Sequence, residues 1–372
     1  MKTLWHYLFF IILSSSLAGE IFAQPLVEKL QHPRHKNHGI FATPLFSYAP
    51  ETRLALGASM IAYFRMDRHD STGRPCVLHP FMGYTQNHQF FNENQFLLFL
   101  KKEKYYSYGD ISYFNFPYRF YGIGNNNPPG YQETYEGKFL RLRASMLMKV
   151  VPHSYAGFRI HFDHYRISKA TAGGLLDPNV SSSIEGKTGG INSGIGPMIL
   201  FDNRDNIFSP LKGSFIELAS VLNSKFTGSR YKYQLFSVDI RKFQSFYIDH
   251  VLAFQAYFNF ISGTPPFYQM ALMGGPRRMR GYYEGRYRDK NLGLVQLEYR
   301  SPFFLWRFGF ATFGALGVVY HSLNEINTNT IKPSYGGGIR FRLDRKEKLN
   351  LRFDVAMGYK SVGYYFILNE AF

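Results

Sequence analysis

The sequence predicts an all-β chain: a transmembrane antiparallel β-barrel of about 16 strands. Three observations predict it. Strand-length segments alternate apolar and polar residues along most of the 372 residues. Aromatic residues make up 18% of the chain, enough for interfacial girdles, yet no apolar run after the N-terminal region is long enough for a membrane helix. Long connections follow odd-numbered strands and mostly short ones follow even-numbered strands.

The N-terminus reads as a signal peptide. Lys2 supplies the positive start, Leu8–Leu13 the short apolar core, and Ile21-Phe22-Ala23 the small-residue cleavage site before Gln24. The core is too short to span a membrane as a helix. The expected organisation is a signal peptide over 1–23, a short periplasmic leader over 24–38 and an outer-membrane barrel over 39–372. The leader is too short to fold alone. His32, His35 and His38 recur at a three-residue spacing, but Pro33 breaks a helix there, so they read as a solvated tail.

Cys76 is the one cysteine, which excludes an intramolecular disulfide and a cysteine metal cluster; it reads as an unpaired side chain near a turn. The net charge of +17 fits nucleic acid or an anionic surface. An exported chain with no recognition helix and no phosphate-binding motif argues against nucleic acid. The basic residues mostly alternate with apolar ones, which places them along one continuous face.

Strands are expected at 40–49, 53–65, 77–86, 89–103, 105–116, 137–151, 155–169, 189–202, 212–223, 230–244, 247–262, 291–300, 305–319, 334–343, 349–359 and 363–372. The fourth is ambiguous in phase. Over 137–151, Leu140, Leu142, Met146 and Met148 oppose Arg141, Arg143, Ser145 and Lys149. Over 247–262, Leu252, Phe254 and Phe258 oppose Asp249, Gln255 and Asn259. Over 349–359, Leu351, Phe353 and Val355 oppose Asn350, Arg352 and Asp354. An Arg or Lys facing lipid at mid-depth costs about 2–4 kcal/mol, so in a barrel the apolar faces point to lipid and the polar faces to the lumen. A β-sandwich gives the same alternation turned inside out. Loop lengths favour the barrel: 117–136, 170–188, 263–290 and 321–333 all follow odd-numbered strands. Connections after even-numbered strands are mostly short, 66–76 and 203–211 excepted.

Residues 274–300 are unlike the rest. Gly274-Gly275-Pro276 cannot lie inside a helix or a paired strand. A basic loop follows, and from Gly293 it becomes a strand with Val295, Leu297 and Tyr299 on one face and Gln296, Glu298 and Arg300 on the other. The loop is expected inside the barrel.

The loop resembles that of the bacterial surface antigen superfamily of outer-membrane barrels, the relatives of BamA, TamA and the two-partner secretion translocators. Arg280-Gly281-Tyr282 matches the Arg-Gly-Phe/Tyr motif of the sixth outer loop, here between the eleventh and twelfth strands. The resemblance implies that Arg280 contacts an acidic lumen residue. Glu298 is the first candidate by phase and Asp354 the second. Asp202, Arg204, Asp205, Pro210 and Gly213 resemble the family's turn between strands 8 and 9, which the resemblance places in the periplasm. Tyr364, Phe366, Leu368 and Phe372 resemble the C-terminal assembly signal, with Glu370 in the same phase where an apolar residue is usual. Two further departures stand out. The chain has no room for POTRA domains, and the strand-13 motif appears as Phe313-Gly314-Ala315-Leu316-Gly317 without its aspartate, which removes one expected partner of Arg280.

The resemblance implies a role in inserting proteins into the outer membrane or moving them across it. The seam between the first and last strands would template another strand, and Gly358 and Gly363 lie near it. The partners implied are outer-membrane lipid, unfolded outer-membrane or secreted proteins, a separate periplasmic partner, and the assembly machinery for the chain's own insertion. No catalytic residue, cofactor or metal is implied. A passive channel favouring anions is the second reading, from the lumen-facing Arg and Lys residues. An enzyme is the third; His153, His161 and His164 exist, but His161 and His164 fall on opposite strand faces and no nucleophile motif accompanies them.

Overall fold

The computed structural model describes residues 38–49, 52–66, 73–127, 130–305, 307–345 and 347–372. The expected signal peptide and the leader up to residue 37, with His32 and His35, lie outside the described residues.

Alternation of apolar and polar residues builds eighteen strands. They are β1 (His38–Ala49), β2 (Arg53–Phe64), β3 (Cys76–Thr85), β4 (Phe90–Leu100), β5 (Tyr105–Phe120), β6 (Glu133–Val151), β7 (Ser154–Ala170), β8 (Gly189–Asp202) and β9 (Gly213–Asn223). Then come β10 (Tyr233–Tyr247), β11 (His250–Gly263), β12 (Ala271–Met273), β13 (Tyr287–Asp289), β14 (Asn291–Arg300), β15 (Phe308–Tyr320), β16 (Lys332–Asp344), β17 (Leu349–Gly358) and β18 (Ser361–Leu368). Sixteen form one antiparallel sheet in chain order, while β12 and β13 pair only with each other inside the β11–β14 connection. The fold is a transmembrane β-barrel. Side chains from the two ends of the strand order meet: Arg65 lies 3.4 Å from Glu347, and Ile61 shares a cluster with Leu349 and Leu368. No helix among the described residues is long and apolar enough to cross a membrane.

Register fixes which face each residue takes. Leu140 and Met146 on β6, Leu252 and Phe254 on β11, and Val295 and Leu297 on β14 are exposed on the outside, where lipid lies. Neighbours in the opposite phase, such as Phe139, Ser145, Ala253, Gln255 and Gln296, are buried inside. The lumen is apolar at both ends of the β3–β9 wall. At the short-turn end Phe99, Tyr106, Tyr155, Leu200 and Phe215 cluster. At the long-loop end Phe114, Phe139 and Tyr165 stack, with centroids 4.7 and 4.5 Å apart.

Strand boundaries differ from expectation at two places, and Cys76 keeps its unpaired place near a turn. The fifth strand is expected to end at 116 and the sixth to begin at 137, yet β5 runs to Phe120 and β6 starts at Glu133, where inward rings such as Tyr118 and Tyr135 stack at 5.5 Å across the pair. Cys76 is buried at the start of β3, its thiol donating to the Phe99 carbonyl at 3.4 Å. The last strand ends at Leu368, not Phe372.

Candidate functional site: a loop tip held inside the barrel

The β11–β14 connection turns back into the lumen. Its first part docks Phe267 and Tyr268 on the aromatic stack, Tyr268 lying 4.1 Å from Tyr165. Gln269 donates to Asp163 at 2.9 Å. The β12–β13 hairpin then projects residues 274–286 against the opposite wall. Met273, Met279, Tyr282 and Tyr287 pack with Leu292, Leu294 and Val319. The loop therefore touches β6 and β7 on one side and β14 to β18 on the other.

At the tip, Arg280 Nη2 lies 2.5 Å from Glu298 Oε2 and Arg280 Nη1 lies 2.6 Å from Asp354 Oδ2. The structure brings both candidate acids to the one guanidinium. The three side chains are at most 1% exposed. The planar fork suits this task, because two of its nitrogens reach two carboxylates at once. The Phe313 ring lies 3.4 Å beneath the guanidinium. Ala315, where the family motif has aspartate, packs against the apolar side of the loop. The lost partner therefore leaves Arg280 with two carboxylates from β14 and β17.

The backbone is fixed as tightly. Tyr365 accepts a hydrogen bond from Gly281 N at 2.9 Å, and Ser334 donates to the Arg280 carbonyl. The Tyr282 hydroxyl donates to Pro333 O at 2.6 Å and accepts from Tyr359 N at 2.7 Å. Gly281 has φ +101°, and a Cβ there would meet the Met357 carbonyl carbon at 2.8 Å. Gly358 also has a packing reason: a Cβ would strike the Tyr282 ring at 2.5 Å.

Residues 84–368 match the Omp85 superfamily domain. The chain belongs to the Omp85 superfamily.

Solved structures share the barrel. BamA from Haemophilus ducreyi lacking POTRA domains 1–3 aligns with TM-score 0.58 and 12% identity, over 90% of this chain and 70% of that one. CdiB from Acinetobacter baumannii aligns with TM-score 0.56 and 13% identity, over 89% and 59%. CdiB from Escherichia coli gives 0.56 and 10%, over 88% and 62%. The chain thus spans less than two thirds of either CdiB. No curated protein matches it in sequence. This is an outer-membrane barrel of the Omp85 superfamily, a group tied to insertion and translocation of proteins.

The charge cluster of this Omp85 barrel is larger than its motifs. Arg300 Nε bonds Glu298 Oε1 at 2.8 Å. Arg340 and Arg352 reach Asp354 at 2.5 and 2.6 Å, and Arg340 Nε reaches Glu370 at 2.9 Å. Four guanidiniums meet three carboxylates. Arg300 and Arg352 were visible only as polar-face residues of alternating strands and Arg340 was not singled out; nothing in their spacing marks them as one cluster.

The turn after β8 is built around Asp202. Its buried carboxylate accepts from Arg204 Nε at 2.9 Å and from Arg74 Nη1 at 3.0 Å. Asp205 Oδ1 accepts from Leu211 N and Lys212 N at 2.9 and 3.1 Å, which folds the turn back on itself. Pro210 is buried there, and Gly213 takes φ +112° as β9 begins. Asp202→Ala is expected to destabilise the barrel by about 3 kcal/mol, the low end for a broken buried pair, since Arg74 keeps Glu103 at 3.0 Å. Urea unfolding in lipid vesicles measures this; a loss under roughly 1 kcal/mol, the value of an exposed pair, would show the turn to be wet.

The end of the described chain departs from expectation. Tyr364 is exposed on the outer face, with Phe366 and Leu368 in its phase. Phe372 is not on that face. Asn369 takes φ +72° and turns the chain inward. Glu370 joins Arg340, and Phe372 is buried against Phe243 and Ala253. The acidic residue out of pattern thus explains the end of the strand: Glu370 avoids lipid by entering the cationic lumen.

Proposed function

We propose that this chain acts in inserting polypeptides into the outer membrane or translocating them across it. Membership of the Omp85 superfamily over residues 84–368 carries the reading. The pinned loop supports it: the tip stiffens the β14–β18 wall and leaves the two ends of the strand order as the place for an incoming strand to pair. Export would use cleavage near Ala23. Tyr364, Phe366 and Leu368 would present the assembly signal, Phe372 being turned inward. Substrate would arrive as an unfolded outer-membrane or secreted protein, directly or through a separate periplasmic partner.

The anion-channel reading draws less support. The lumen arginines of the cluster face carboxylates, and the loop reaches both walls. Deleting 276–289 separates the two. Insertion or translocation predicts lower levels of other barrels or of a secreted partner in the cell. Persistent conductance in planar bilayers, with other outer-membrane proteins unchanged, would overturn the proposal.

The topology has its own test. Cysteines placed at 121–132, 171–188 and 321–331, with Cys76→Ser, are expected to react with an impermeant maleimide on intact cells. Labelling only after permeabilisation would mean that these long loops face the periplasm.

A further inference from the structure

A cavity of about 190 Å³ opens at the short-turn end of the barrel, among the turns that follow β8, β10, β14 and β16. Arg300, Arg340, Arg342 and Lys348 line it, against Asp249 and Glu370. Cations outnumber acids by two. Arg300 and Arg340 are 5% and 2% exposed. Arg300 Nη1 and Arg340 Nη2 are buried with no hydrogen-bond acceptor among the described residues. Arg340 Nη2 is 3.6 Å from Glu298, beyond a hydrogen bond. Buried guanidinium donors without acceptors call for an oxyanion. The other two cations are held in place: Arg342 stacks 3.7 Å over Phe303 and donates to Asn350 at 3.0 Å, while Lys348 lies 3.4 Å from Asp205.

Residues 370–372 show what fits beside this cavity. The Glu370 carboxylate accepts from Arg340 Nε at 2.9 Å and Asn350 Nδ2 at 2.7 Å. Ala371 is small enough to lie in the cluster with Ala253. The Phe372 ring lies 6.4 Å from Phe243, and the Arg300 guanidinium sits 5.6 Å from both rings. Arg300 Nη2 donates to the Phe372 main-chain oxygen at 3.0 Å. A carboxylate, a small residue and an aromatic ring thus meet an arginine, an alanine and a second ring.

We infer that this mouth is a binding site for a peptide segment with an acidic residue two positions before an aromatic one, and that Glu370–Phe372 occupy it in cis. The inference rests on the proposed function only for the source of the segment, a polypeptide arriving from that end. Arg340 and Asn350 hold the acidic residue, Lys348 and Arg342 add positive charge at the mouth, and Arg300 with Phe243 holds the ring. The segment in cis then competes with the incoming one.

The probe is an Asn-Glu-Ala-Phe peptide, amidated at its C-terminus and labelled with a neutral fluorophore, so that Glu holds its only carboxylate. Purified full-length barrel in detergent is titrated by fluorescence anisotropy. Glu370→Gln is expected to bind the peptide about tenfold more tightly than the unmodified barrel, and to bind the Asn-Gln-Ala-Phe peptide about tenfold more weakly than the Glu peptide. Adding Arg340→Gln, which removes the cation that holds the Glu370 carboxylate, should abolish most of that preference. Phe372→Ala loosens the cis segment independently, and cold-gel mobility shows that each variant is folded. The unmodified barrel should show the same preference at higher peptide concentration. Equal affinity for the two peptides, or no binding in any folded form, would overturn the inference. Binding in detergent needs no insertion activity, so its failure leaves the proposed function standing, and a failed cell assay leaves the binding site standing.

Discussion

Asp354→Asn is expected to destabilise the folded barrel by about 3–5 kcal/mol, more than any other isosteric change in the lumen. The side chain keeps its shape and loses its charge. Arg280, Arg340 and Arg352 all reach this carboxylate, at 2.6, 2.5 and 2.6 Å. Removing it leaves four buried guanidiniums facing Glu298 and Glu370, so repulsion adds to the lost bonds. Arg280→Ala works in the other direction. Three guanidiniums then face three carboxylates, and the charge count improves. Its cost comes from Glu298 Oε2, whose bond to Arg280 at 2.5 Å is lost, and from the bared Phe313 ring. That places Arg280→Ala nearer about 3 kcal/mol. Arg280→Lys should rescue little, because an ammonium cannot span two carboxylates as a fork does. The temperature at which the compact band disappears on cold gels ranks the three variants. An Asp354→Asn barrel as heat-resistant as the parent would show that water enters the cluster and screens it.

The strands were legible because lipid leaves no room for compromise. Outward positions such as Leu140 and Met146 on β6, Leu252 and Phe254 on β11, and Phe353 and Met357 on β17 are apolar, and alternation reports that directly. β4 was ambiguous for a physical reason. Its inward residues include Phe91 and Phe99, which meet the apolar clusters at the two ends of the lumen, so both of its faces carry aromatic residues. The extension of β5 and β6 rests on cross-strand stacking of Tyr118 on Tyr135, which the alternation within either segment does not report. Within the site, the phase of Glu298 and Asp354 was readable from their own strands. Their convergence on one guanidinium was not, since it depends on how far β14 and β17 curve towards each other. Arg340 and Glu370 join the cluster from β16 and from beyond β18, and single-strand periodicity holds no information about contacts across the lumen. Phe372 misled for the opposite reason: its phase fits the outer face, but the chain leaves the strand three residues earlier.

Gly281→Val is expected to undock the loop tip as a unit. Two costs add. At φ +101° a β-branched residue is strained by about 1–3 kcal/mol. Its Cβ would also meet main-chain atoms of Met357 and Gly358 at 2.8 and 2.9 Å, and backbone paired to β16 on one side and β18 on the other cannot move aside as a side chain can. The cheaper response is for the tip to lift. Lifting breaks the Gly281 bond to Tyr365 and the two Tyr282 bonds, and withdraws Arg280 from Glu298 and Asp354. The total should match or exceed the loss in Arg280→Ala. The two changes should not add. Once Gly281→Val has lifted the tip, Arg280 no longer touches its acids, and removing it costs little more. A double-mutant cycle on urea unfolding in vesicles is expected to show a coupling of about 2–3 kcal/mol, within the range for residues sharing one network. Additive losses within about 0.5 kcal/mol would mean that Arg280 stays docked without the backbone, and that the glycine serves only its own turn. Gly281→Ala separates strain from lifting: it carries the same φ penalty and the same Cβ contact without the branched methyls, and should fall between the parent and Gly281→Val.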